Sequence, residues 1–107
     1  MITASAEATV GEVGMGVVMV ADPLTGDDRL GEAKQLFRSL IQSGRREVVL
    51  DLSGVRAVTS DLISFLLMCD MECNRRGTHL LVRNVTLELM KAFRFAGLNQ
   101  VMEFETL

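Results

Sequence analysis

The chain has 107 residues, of which 49% are hydrophobic and 23% charged, and its net charge is −3. That length supports one core rather than two, and that composition excludes a disordered chain. The acidic balance argues against a nucleic-acid binder, which needs a basic face to neutralise phosphates, and no run reaches the roughly 18 apolar residues of a membrane span.

In chain order, residues 2–10 read as a first strand. The Gly-punctuated segment "VGEVGMGVVMVAD" (10–22) follows, and its core, Val17 to Val20, reads as a buried strand paired with the first as a hairpin. Pro23 and Gly26 mark a turn. From Leu30, apolar residues recur at 30, 33, 36, 37, 40 and 41, the three-four spacing of a helix with one buried stripe. Thr25, Asp27 and Asp28 suit its start and Gly44 its stop. "EVVLDL" (47–52) is a strand by its near-continuous β-branched run, and a second helix covers about 61–76 and ends at Gly77. "THLLVRNV" (78–85) is a further strand, with Asn84 or Thr86 as N-cap of a third helix, about 86–96, stopped by Gly97. Leu89, Ala92, Phe93 and Ala96 fall on one face of that helix, and "QVMEFET" (100–106) closes the chain with a short strand.

The predicted order is β-β-α-β-α-β-α-β in one α/β domain spanning 1–107. Strands separated by single helices lie parallel through right-handed crossovers, and the N-terminal hairpin makes the sheet mixed, with about four to five strands. Neither a repeat nor a linker interrupts it.

The inventory for catalysis is thin. Glycines in "VGEVGMG" lead into a strand, not into a helix carrying Lys-Ser/Thr, so they form no phosphate cradle. His79 is the only histidine and stands far in sequence from any serine or cysteine needing a base. Cys69 and Cys73, four apart on a helix, read as buried thiols; zinc would need more ligands, and the lack of a disulfide framework agrees with a reducing compartment. Residues 1–20 hold no Lys or Arg to start a signal peptide, so the expected compartment is the cytoplasm. The expectation is a protein without catalytic residues, metal or cofactor.

Residues 59–72 are different. Thr59, Ser60 and Asp61 place two hydroxyls and a carboxylate where the second helix begins, although capping needs only one such residue. Leu62, Phe65, Leu66, Cys69 and Cys73 follow a core stripe, while Ile63, Leu67 and Met71 form a second stripe rotated around the helix. That second stripe is either a wide core contact or a surface awaiting a partner. A helix N-terminus also tolerates added negative charge, so a phosphate there would disturb a partner surface more than the fold.

"VVMVADPLTGDD", "VVLDLSGVRAVTSDLI" and "GTHLLVRNVTLELMKAFRFAGLNQVMEF", in this order and spacing, resemble the STAS domains, a family that includes bacterial anti-sigma-factor antagonists. The likeness runs from about residue 13 to 107. It implies a STAS-like fold and a non-catalytic module that binds an anti-sigma factor doubling as a serine kinase, in a partner-switching pathway that regulates transcription. In the family, phosphorylation of the second serine of Asp-Ser-Ser-Gly-Leu abolishes that binding. Ungapped alignment puts Thr59 on the family's Asp, Ser60 on its first serine, Asp61 on the phosphorylated serine, Leu62 on the glycine and Ile63 on the apolar residue.

The switch position is therefore degenerate: a fixed charge of about −1 stands where phosphate would bring about −1.5 to −2. Ser60 and Thr59 remain phosphorylation candidates if the loop is offset by one residue. The expected partner surface comprises Thr59, Ser60, Asp61, Leu62, Ile63, Ser64, Leu67 and Met71. The alternative function is a scaffold or accessory subunit of a stressosome-like or transporter complex, for which no acceptor is needed. A nucleotide or lipid sensor is disfavoured by the missing phosphate loop and the absence of Trp and Tyr. No nucleic acid and no membrane insertion are expected, and a homodimer or larger assembly is compatible with the sequence.

Overall fold

A computed structural model describes residues 4–8, 15–21 and 27–107. Its elements are β1 (Ala4–Ala8), β2 (Met15–Ala21), α1 (Asp27–Gln42), β3 (Glu47–Gly54), α2 (Ser60–Arg76), β4 (His79–Val85), α3 (Leu87–Phe95), a 3₁₀ turn (Leu98–Gln100) and β5 (Glu103–Thr106). The strands form one sheet in the order β1-β2-β3-β4-β5. β1 runs antiparallel to β2, and β2 through β5 are mutually parallel. The predicted order and mixed sheet are thus observed, at five strands and three helices. The turn expected at Pro23 and Gly26 lies outside the described residues.

Alternation along the strands separates two faces. Val18, Val20, Val48, Leu50, Leu52, Leu80 and Val82 point to one side and join Phe37, Phe65 and Phe93 from the three helices in a single buried cluster. Gly16 belongs to this side because α1 approaches closely: a Cβ there would come within 2.8 Å of Leu40 Cδ2. Phe104 of β5 completes the packing by stacking on Phe93, ring centroids 5.0 Å apart. The opposite side of the sheet carries Val17, Met19, Val49 and Leu81 between two groups of ionisable residues, Asp51 with Arg83 at one end and Glu47, His79 and Glu103 at the other.

The helix ends follow their sequence signals. Gly44 and Gly77 adopt left-handed backbone (φ 79° and 70°), as αL residues after a helix do, and Gly77 is the C-cap of α2. Thr86, not Asn84, caps α3, its hydroxyl accepting from Leu89 N–H at 3.2 Å. Of the residues expected on one face of α3, Leu89 and Phe93 are buried together with Met90, while Ala92 is half-buried and Ala96, at the C-cap, is exposed.

Candidate functional site

β3 ends in a tightly held turn. Val55 N–H donates to Leu52 C=O at 2.9 Å, and the fully buried Val55 and half-buried Val58 anchor the short loop to the core on either side of Arg56 and Ala57. That loop delivers Thr59 in extended geometry (φ −121°, ψ 160°), and its hydroxyl accepts from Leu62 N–H at 3.1 Å. Thr59 C=O accepts the first helical bond, from Ile63 N–H at 3.1 Å. Thr59 is thus the N-cap, which answers what the consecutive polar residues do: one caps, and Ser60 and Asp61 are left exposed on the first turn.

Along α2 the two expected stripes separate by burial. Leu62, Phe65, Leu66, Cys69 and Cys73 are all buried, as the core stripe requires, so Leu62, which was also placed on the expected partner surface, is no part of that surface. Its position three residues after the cap turns it inward with Phe65 and Leu66. Ile63 is half-buried against the core, whereas Leu67 is 41% and Met71 65% exposed. Ser60, Ser64, Leu67 and Met71 recur at three-four spacing, so they share the outward face of α2.

Behind this surface lies a network that sequence reasoning missed. Asp51 is 4% exposed on the face of the sheet away from the helices. Its Oδ1 accepts from Ser53 N–H at 2.9 Å, and its Oδ2 from Arg83 Nε at 3.2 Å and Asn84 Nδ2 at 2.9 Å. Burial pushes the carboxyl up, but the hydrogen bonds from Ser53, Arg83 and Asn84 prevail and hold it below its usual range. Asn84 reaches Asp51 because its backbone is left-handed (φ 58°), which breaks the strand's alternation. Val82 and Val85, three apart, therefore both enter the core, and Arg83 and Asn84 between them both turn to Asp51. The network ties the ends of β3 and β4 together at the point where the loop to Thr59 departs. A lone carboxylate inside "VVLDL" was the available signal.

The opposite end of the sheet holds His79 between two carboxylates: Nδ1 is 2.6 Å from Glu47 Oε2 and Nε2 2.8 Å from Glu103 Oε1. Both contacts are donated only by the imidazolium, since a neutral ring has one N–H. The hydrogen bonds to Glu103 and Glu47 raise its pKa accordingly. A shallow pocket of about 160 Å³ nearby is lined by Asp70, Cys73, Asn74, Thr78, His79 and Glu103. Burial pushes the Cys73 thiol up to about 12 and Cys69 higher still, so neither is a ready nucleophile at neutral pH. Cys69 does not line the pocket, and among the described residues no group of three His, Cys, Asp or Glu side chains is placed to hold a metal ion.

Comparison with known proteins agrees with this geometry. The family model described as "Mlab, STAS domain" matches residues 16–104. The chain belongs to the STAS domain family. An anti-sigma-factor antagonist (STAS) domain protein from Planctomyces limnophilus superposes with a TM-score of 0.77 at 13% identity, over 98% of this chain and 91% of that one. The NMR structure of the protein TM1081 superposes with a TM-score of 0.73 at 12% identity, over 99% of this chain and 82% of that one. At such identities these two establish the fold. No curated protein sequence matches the chain. No helix among the described residues is long and apolar enough to cross a membrane.

Proposed function

We propose that the chain acts as one non-catalytic domain, residues 1–107, which binds a protein partner through the outward face of α2 in the cytoplasm. The observation that carries this reading is Leu67 and Met71, exposed on the same face as Ser60 and Ser64 while the opposite side of α2 is buried. Apolar side chains that the fold does not need, beside polar residues at a rigid helix start, give a contact patch with an apolar centre and a polar rim.

Membership of the STAS family and the fold shared with an anti-sigma-factor antagonist domain support a partner of the anti-sigma serine-kinase type. Ser60 is the better acceptor for phosphate, because the Thr59 hydroxyl is engaged by Leu62 N–H. A phosphate on Ser60 would sit at the positive end of α2 and leave the fold in place, while adding charge to the rim of the patch. The exposed Asp61 already supplies part of that charge.

A second reading follows from Asp61 itself. A carboxylate at the family's acceptor position takes no phosphate, which favours a constitutive scaffold or an accessory subunit of a stressosome-like or transporter complex. Purification from native cells, with mass spectrometry of the chain and whatever accompanies it, separates the two. Phosphate on Ser60 with an ATPase-type kinase supports the switch. An unmodified chain recovered with transporter subunits or other STAS proteins supports the scaffold.

A further inference from the structure

Strands β3, β4 and β5 are parallel, so they begin at one end of the sheet, and the helix that precedes each of them finishes at that end. The topology thereby gathers arginines far apart in sequence: Arg45 and Arg46 ahead of β3, Arg75 and Arg76 at the close of α2, and Arg94 in the last turn of α3. Two hydrogen bonds hold the first two pairs side by side, Thr78 Oγ1 donating to Arg45 C=O at 3.3 Å and His79 N–H to Arg46 C=O at 2.9 Å. Arg75 is paired with Glu72 at 2.8 Å, and Arg45 Nε donates to Ser43 Oγ at 3.2 Å. Arg46, Arg76 and Arg94 are exposed and have no hydrogen-bond or ion-pair partner among the described residues. The other described acids at this end are Glu47 and Glu103, which bracket His79, and the half-buried Asp70 in the pocket lining. Val101, which shares that lining with Asn74 and Thr78, is 54% exposed, and Phe95, next to Arg94, is 96% exposed. Cations near helix C-termini complement the dipole, which accounts for Arg75, Arg76 and Arg94. It does not account for Arg45 and Arg46, which follow Gly44 outside α1, or for the two exposed apolar side chains.

We propose that this end of the molecule rests on an anionic phospholipid surface, as a peripheral contact without a spanning segment. Guanidinium forks match phosphodiester headgroups, while Phe95 and Val101 supply apolar area that settles at the headgroup boundary. The net charge of −3 on the whole chain does not oppose this. Asp61 and Glu88 lie in the first turns of α2 and α3, at the other end. Along α2, Asp61 stands about 22 Å from Arg76 at the helical rise per residue, more than two Debye lengths of about 8 Å at physiological salt. A surface touching Arg76 therefore meets the arginines and is screened from those acids. An acidic protein segment is the poorer occupant: it needs a groove, and the pocket at this end is lined by Asp70 and Glu103, which repel it. Seated on lipid in this way, the chain turns Ser60 and Asp61 away from the surface, where a protein partner can reach them.

Co-sedimentation of the purified chain with vesicles tests the proposal without any protein partner, so its outcome is independent of the function assigned to α2. Vesicles of phosphatidylcholine alone are compared with vesicles of phosphatidylcholine and phosphatidylglycerol in equal parts. Binding is expected to the mixed vesicles only, and it should weaken as salt rises. Each arginine near the surface contributes about fivefold in affinity, so Arg46→Glu/Arg76→Glu is expected to weaken binding by at least about tenfold. Circular dichroism should be unchanged, because both side chains are exposed. Phe95→Ser is expected to weaken binding as well, whereas Glu88→Gln, at the far end, leaves it as it is. The proposal is overturned by a chain that stays in solution beside the mixed vesicles, by equal binding to the two compositions, or by an Arg46→Glu/Arg76→Glu protein that binds as the wild type does. Binding to heparin, a soluble polyanion, with none to the mixed vesicles overturns it too, and assigns this end to an acidic macromolecule.

Discussion

The Thr59 hydroxyl accepts a hydrogen bond from Leu62 N–H at 3.1 Å, and Leu62, completely buried, anchors that same first turn of α2 in the core. Cap and anchor together fix where Ser60 and Asp61 stand. Thr59→Ala is expected to cost about 1 kcal/mol in urea denaturation, and Thr59→Ser or Thr59→Asn to recover most of it. An alanine variant as stable as the wild type would mean that the loop from Val55 to Val58 positions the helix start without the cap.

Asp51→Ala leaves Arg83 and Asn84 facing a buried gap. The expected loss is about 2–3 kcal/mol, more than for a surface carboxylate. Because the Asp51 pKa is lowered on folding, its contribution is present above the unfolded value, about 3.9, and disappears as pH falls through the folded value. Acid titration of Asp51→Asn should therefore show a flatter fall in stability below pH of about 4 than the wild type. A parallel fall in the two proteins contradicts the assignment.

His79 has the opposite sign. Its pKa is raised by Glu103 and Glu47, so the clamp across β3, β4 and β5 is complete below the unfolded value, about 6.5, and is lost as pH rises through the folded value. Amide hydrogen exchange, corrected for intrinsic rates, is expected to show weaker protection of β5 on the alkaline side of that window. His79→Gln should remove the pH dependence. Equal pH dependence in the variant would assign it to another group.

Asp61 separates charge from structure. As an exposed residue past the cap, Asp61→Ala should change stability by no more than about 0.5 kcal/mol, chiefly through the helix dipole. Binding of an anti-sigma-type kinase should strengthen, and Asp61→Ser should be phosphorylated by it, as read by intact mass. Unchanged affinity in the alanine variant would leave Asp61 no part in the contact.

The elements were legible because each carries a local signal: three-four periodicity for α1 and α2, β-branched runs for β3 and β4, and glycines at 44, 77 and 97 after helical segments. The inner face of α3 was not, since Ala92 and Ala96 fit the period as well as Met90 does and only the depth of the core decides among them. In the site, both stripes of α2 were visible, the core stripe from Leu62 to Cys73 and the rotated one at Leu67 and Met71; placing Leu62 on the partner surface as well, because it follows the polar cluster in sequence, was the error, and burial removes it. Which hydroxyl caps α2 depends on the backbone of the preceding loop and has no sequence signature when Thr, Ser and Asp stand together. Beyond the local Ser53 contact, the Asp51 and His79 networks join residues 24 to 33 apart in sequence, and strand register brings those residues near one another. Asn84 adds a left-handed residue inside a strand, which no propensity would assign there.

The most direct test of the central claim is recovery of binding partners from native cells by wild type and Leu67→Glu in parallel, with melting curves for both. The account predicts a melting temperature within a few degrees of wild type, because Leu67 lies outside the core, and loss of the principal partner from the Leu67→Glu sample. The same partner at undiminished yield on a folded Leu67→Glu protein would contradict it and move the interaction off α2.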